Sequence, residues 1–157
     1  MNSRGPAYPG AVATVSRSRR IAAPPRAIWD LLADFGALSS WAPNVDHSCL
    51  LEHGPAGPVG TSRRVQVGRN TLVERITDIE APVSLGYRIE GLPRQLRRVV
   101  NRWELRPAGP DHTDVTLTGT VEIGANPLAR LAERVMCRLM AKQSDSMLAG
   151  LADRMEG

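Results

Sequence analysis

Hydrophobic and polar positions alternate or recur with a helical period along almost the whole chain. Residues 14–21 alternate as a strand, with Val15 and Ile21 on one parity and Arg17 and Arg19 sharing it. Ala23-Pro24-Pro25 follows, and proline suits a first helical turn, where its missing amide has no partner to lose. Ile28, Leu31, Leu32 and Phe35 then recur at helical spacing beside Trp29, which predicts a short amphipathic helix. Gly36 is expected to end it by taking positive φ, and Leu38 to Trp41 to add one more turn before Pro43.

The middle of the chain reads as strands over 46–52, 61–67, a run with Leu72, Glu74 and Ile76 on one face, 83–90, 96–106 and 113–123. Gly68-Arg69-Asn70 suits a hairpin, and the other connections are short, so the seven strands are expected to pair antiparallel. After Asn126, a good N-cap, and Pro127, apolar residues recur from Leu128 through Leu131, Ala132, Val135, Met136, Leu139 and Met140 to Met147, Leu148, Leu151 and Met155. This predicts one long helix over 127–155. A sheet with one apolar face must cover it, and this helix is the element large enough to do so. A curved sheet holding a helix leaves a concave apolar space of the kind that takes small ligands.

The length, 157 residues, fits one domain. Residues 1–11 read as a flexible tail and 12–155 as a single ligand-binding domain. The chain has 20 basic and 16 acidic residues, net +4, and every basic residue except Lys142 is arginine. Such a balance permits an anionic partner, but the arginines are scattered over most strands and six aromatics are few for base stacking. No nucleic-acid partner is therefore expected. Cys49 and Cys137 have no metal-ligand spacing and read as reduced thiols of a cytoplasmic protein. No apolar run approaches membrane-spanning length, so no integral membrane association is expected. GxSxG, HExxH, phosphate-loop and dinucleotide fingerprints are all missing from the sequence. No cofactor is expected, and the assembly is read as a monomer or homodimer.

Ile21-Ala22-Ala23-Pro24, then Trp29, Phe35, Trp41-Ala42-Pro43, Glu74-Arg75-Ile76 and Gly86-Tyr87-Arg88-Ile89, together resemble the START/Bet v 1-like (SRPBCC) superfamily over residues 12–155. The likeness is greatest to its polyketide cyclase/dehydrase branch and to plant abscisic-acid receptors. The resemblance implies an α+β helix-grip fold: a seven-stranded antiparallel sheet curved around a long C-terminal helix, with two short helices after strand 1. It also implies a hydrophobic cavity for a lipid, polyketide or similar molecule. Most members bind or carry ligands, and a minority are cyclases or aromatases.

Strand parity nominates the cavity residues. Glu74, between Leu72 and Ile76, is a carboxylate on an apolar face, so it needs a partner, a proton or a ligand. In the resembling plant receptors the glutamate of this motif contacts the cavity. Arg63 shares parity with Val65 and Val67, and either pairs with Glu74 or reaches solvent. His47 stands where those receptors carry a ligand-binding lysine, and is either a cavity acid–base group or an exposed strand start. Tyr87 and Ile89, and likewise Val99, Asn101 and Trp103, face inward by parity, while Met136, Met140 and Ser144 follow four-residue spacing on the long helix. His53 and His112 fall in loops. The leading expectation is binding or transport of a small hydrophobic molecule. The alternative is a polyketide cyclase or aromatase using Glu74, His47 and Arg63. The loops 68–70 and 91–95 are expected to flank the cavity mouth, where the plant receptors carry a gate and latch.

Overall fold

The strands are β1 (Gly10–Ile21), β2 (His47–Glu52), β3 (Ser62–Val67), β4 (Asn70–Glu80), β5 (Ser84–Glu90), β6 (Leu96–Pro107) and β7 (Thr113–Gly124). They form one antiparallel sheet in the order β1-β7-β6-β5-β4-β3-β2. The structure is a computed structural model that describes residues 10–94, 96–124 and 128–157. The expected tail up to residue 9, Gln95, the Asn126 cap and Pro127 lie outside the described residues. Helix α1 (Pro25–Ala33) and a 3-10 segment (Phe35–Ser40) follow β1, and helix α2 (Ala129–Glu156) closes the chain.

Period-two patterning sets which face of each strand is covered. In β7 burial alternates without a break, with Thr113, Val115, Leu117, Gly119, Val121 and Ile123 inside. On the opposite face Ser16 and Ser18 of β1 pair their hydroxyls with Thr118 and Thr116 at 2.8 and 2.7 Å. The β3–β4 hairpin turns on Gly68-Arg69, with φ +59° at Gly68, a conformation glycine adopts without strain. Its register sets Arg63 opposite Glu74 and Val65 opposite Leu72. Directly opposed residues share a face, so all four line the concave side.

The core has two parts. The larger joins Ile28, Trp29 and Leu32 of α1, Phe35 and Leu38, the inner faces of β5–β7, and Met147, Leu148, Leu151 and Ala152 from the second half of α2. The smaller joins Ala13, Val99, Val121 and Ile123 to Ala132, Met136, Cys137 and Met140 from the first half of α2.

Two local expectations are corrected. Gly36 does not end α1 by positive φ: the helix stops at Ala33, and Gly36 lies within the 3-10 segment. Its missing side chain serves close approach instead, since a Cβ there would lie 2.8 Å from Leu50 Cγ on β2. The apolar residues of α2 also do not make one buried stripe. Leu131, Val135 and Leu139 are exposed, because the sheet contacts the neighbouring face carrying Ala132, Met136 and Met140.

Candidate functional site

Between the concave face of β3–β6, the segment around Leu38–Val45 and α2 lies a cavity of about 560 Å³. Val65, Val67, Leu72, Glu74, Tyr87, Ile89 and Asn101 line it, as parity predicts. Arg69 and Asn70 of the β3–β4 turn, and Gly91, Leu92 and Pro93 of the β5–β6 loop, stand at the same end of the sheet and border it. Both loops named from sequence thus contribute residues to its border.

Behind the wall at Glu74 lies a buried ion pair. Arg63 Nε donates to Glu74 Oε1 at 2.9 Å, and Nη2 lies 2.8 Å from the same oxygen. Arg63 Nη1 donates to the Phe35 carbonyl at 2.9 Å. The guanidinium carbon sits 3.8 Å from the Phe35 ring centre and 4.9 Å from that of Tyr87, within the range of cation–π attraction. With 3% of its surface exposed, Arg63 is a fully enclosed cation. A second cleft, of about 620 Å³, is bordered by Phe35, Leu50, His53, Ile76 and Leu85.

Tyr87 is also enclosed, with Asn101 Nδ2 3.5 Å from its hydroxyl. Burial, and then the nearby Glu74 charge, push its phenol up to about 12. Near neutrality the hydroxyl is therefore a hydrogen-bond donor that does not ionise. Asn44 and Gln143 face each other on the cavity wall, Asn44 Nδ2 donating to Gln143 Oε1.

Several nominated residues stand elsewhere. His47 is exposed at the start of β2, opposite Gln66 and so on the face away from Val65. Arg63 is enclosed in its pair and does not line the space. Ile76 borders the second cleft. Trp103 is core, with its ring edge-to-face on Trp41 at 6.0 Å. Val99, Met136 and Met140 belong to the smaller cluster, and Ser144 is buried beside them on α2 without bordering the cavity. The helix contributes Leu139, Gln143 and Met147 instead, a line displaced by one residue from 140 and 144. Asn44 and Val45 also went unnominated. Their signal is the Pro43 break, which turns the chain across the sheet before β2.

Among the described residues no cluster of His, Cys, Asp and Glu is placed to hold a metal, and no helix is long and apolar enough to cross a membrane. Cys49 and Cys137 are free.

Three solved structures illustrate the similarity. The Zhui aromatase/cyclase from Streptomyces sp. R1128 superposes with a TM-score of 0.78 at 19% identity, covering 93% of this chain and 94% of that one. A START superfamily protein from Mycobacterium smegmatis gives 0.75 at 19% identity, with 91% and 97% covered. A protein from Thermobifida fusca gives 0.73 at 26% identity, with 90% and 92% covered. A comparison with curated proteins finds no match. Residues 12–156 match the family described as polyketide cyclase / dehydrase and lipid transport. With that match spanning nearly the whole chain, and a helix-grip architecture around an apolar cavity, the chain belongs to this family.

Proposed function

We propose that this protein binds and carries a small lipophilic molecule in the cavity between α2 and the concave sheet. The observation that carries the reading is a space of about 560 Å³, of ligand size, walled mainly by apolar side chains, with Glu74, Tyr87, Asn101, Asn44 and Gln143 among its polar groups. Residues 12–155 form the ligand-binding domain, acting in the cytoplasm as a monomer or homodimer and without a nucleic-acid partner. Val65, Val67, Leu72 and Ile89 give the ligand its apolar surroundings, and Glu74, Tyr87 and Asn101 orient it.

The cyclase reading draws on the same cavity and on the family's own range of activities. General acid–base catalysis favours a group that titrates near the working pH. The Tyr87 phenol sits near 12, Glu74 is engaged by Arg63, and His47 lies outside the cavity. This arrangement favours binding over turnover. Native mass spectrometry of the freshly purified chain tests it, with identification of any co-purifying molecule. A retained lipophile at one per chain is the expected result. A chain that retains nothing, and fails to enhance the fluorescence of N-phenyl-1-naphthylamine, a neutral lipophilic probe, overturns the reading.

A further inference from the structure

Glu74 is the one carboxylate among the described residues that border the cavity. Arg63 Nε and Nη2 both meet this carboxylate at Oε1. Oε2 has no hydrogen-bond donor among the described residues and is the oxygen left for a ligand. The Arg63 cation balances the Glu74 charge but has no hydrogen bond left for a ligand: its nitrogens are held by Glu74 and the Phe35 carbonyl, and its faces by two rings. A ligand's own O–H or N–H would supply the donor that Oε2 lacks. Among the described residues that border the cavity the one cation is Arg69, on the exposed hairpin turn at the rim.

We propose that the cavity selects a lipophile whose buried end carries a hydrogen-bond donor, an alcohol, phenol or amine, and that it rejects the matching carboxylic acid, with Glu74 as the residue that sets the preference. This rests on the cavity being the ligand site. A carboxylate entering head-first brings only acceptors to Glu74 Oε2, finds no free cation there to pair with, and sets like-charged groups directly together, an arrangement that interfaces avoid. Entering tail-first, its head pairs with Arg69 in solvent, where an ion pair contributes little, and its chain covers Glu74 Oε2 with methylenes. Both orientations are penalised. An alcohol entering head-first donates to Oε2 and leaves its chain against Leu72 and Ile89.

The test uses the full chain, with N-phenyl-1-naphthylamine as reporter and 1-decanol, decylamine and decanoate as competitors, at about pH 8. Decanol and decylamine should displace the reporter at concentrations at least about tenfold lower than decanoate. In Arg63→Met/Glu74→Leu, which removes both charges together and so strands neither, that gap should close. Decanoate competing as well as decanol on the natural chain overturns the proposal, as does a gap that persists undiminished in the double variant. If the reporter itself does not bind, the cavity is not a ligand site and the reading beneath the proposal falls with it.

Discussion

Arg63 and Glu74 stand directly opposite each other across the β3–β4 hairpin, and two nitrogens of the guanidinium converge on one carboxylate oxygen at 2.8 and 2.9 Å. Both residues are buried. Moving such charges out of water costs several kcal/mol per ion, and the pair alone need not offset it. The Phe35 carbonyl and the Phe35 and Tyr87 ring faces complete the shell of the cation. Removing one partner strands the other, whereas replacing both by apolar groups of similar size strands neither. Glu74→Gln is therefore expected to lower the unfolding free energy by about 3–5 kcal/mol, and Arg63→Met/Glu74→Leu to recover most of that loss. Urea unfolding of the three proteins measures it. A double variant no more stable than Glu74→Gln would show that the ring and carbonyl contacts of Arg63, not the stranded charge, set the cost.

Strand positions of the site were far more legible than helix positions, for a geometric reason. A strand side chain has two possible faces, and a slip of one residue reverses all of them. The single pattern of Arg63, Val65, Leu72, Glu74, Tyr87 and Ile89 therefore placed each on the concave side. A helix turns 100° per residue, and α2 carries apolar residues on more than one face, so its rotation is free in the sequence. The expected line through Met136, Met140 and Ser144 faces the sheet, and the adjacent line through Leu139, Gln143 and Met147 faces the cavity. Inward-facing and cavity-lining also differ. Val99 and Trp103 face inward, but their end of the concave face is filled by Met136 and Met140 or by Trp41. His47 failed by register, since pairing with Gln66 sends it to the far face.

Tyr87 should resist ionisation while the fold persists. Its phenol is raised to about 12, first by burial and then by the Glu74 charge. A raised folded value means that the unfolded chain releases its proton first. This contribution to stability is whole below the ordinary phenol value of about 10 and is lost as pH rises through about 12. The chain has two tyrosines, Tyr8 and Tyr87, so Tyr8→Phe isolates the signal. Its phenolate absorbance should rise near pH 12, or together with loss of the far-ultraviolet circular dichroism. A phenolate step near 10 in a still-folded chain would contradict the burial of this hydroxyl.

On the acid side the outer face of the sheet governs. The Arg75 hydrogen bond, at 2.9 Å, is the largest influence holding the Glu90 carboxyl below its ordinary range, and Arg88 adds to it. The folded state thus holds this proton less tightly than the unfolded one. The resulting stability is present above the ordinary carboxylate range and is lost as pH falls through the depressed folded value. Glu90→Gln should flatten the fall of stability with acidity, and urea midpoints taken from pH 7 down to pH 3 should show it. An acid limb of unchanged slope would mean that this half-buried pair contributes nothing measurable, as many exposed ones do.

The void and the packed cluster beside it should respond oppositely to added bulk. Ile89 borders the cavity at the edge of the smaller cluster, and Val99, its register partner on β6, is buried within that cluster with Met136 and Met140. Extra volume in a close-packed core costs about 1–3 kcal/mol through forced rotamers and backbone shifts, but the same bulk placed in an empty space displaces nothing. Ile89→Trp should leave stability within about 1 kcal/mol of the natural chain, while Val99→Trp should lose about 1–3 kcal/mol or more. Binding should reverse the order: Ile89→Trp fills the space and weakens N-phenyl-1-naphthylamine by at least about tenfold, and Val99→Trp retains affinity in the fraction that folds. Thermal unfolding and probe titration on the pair read both axes. Equal destabilisation by the two substitutions would mean that the cavity closes in solution and that the concave face is packed solid from β3 to β7.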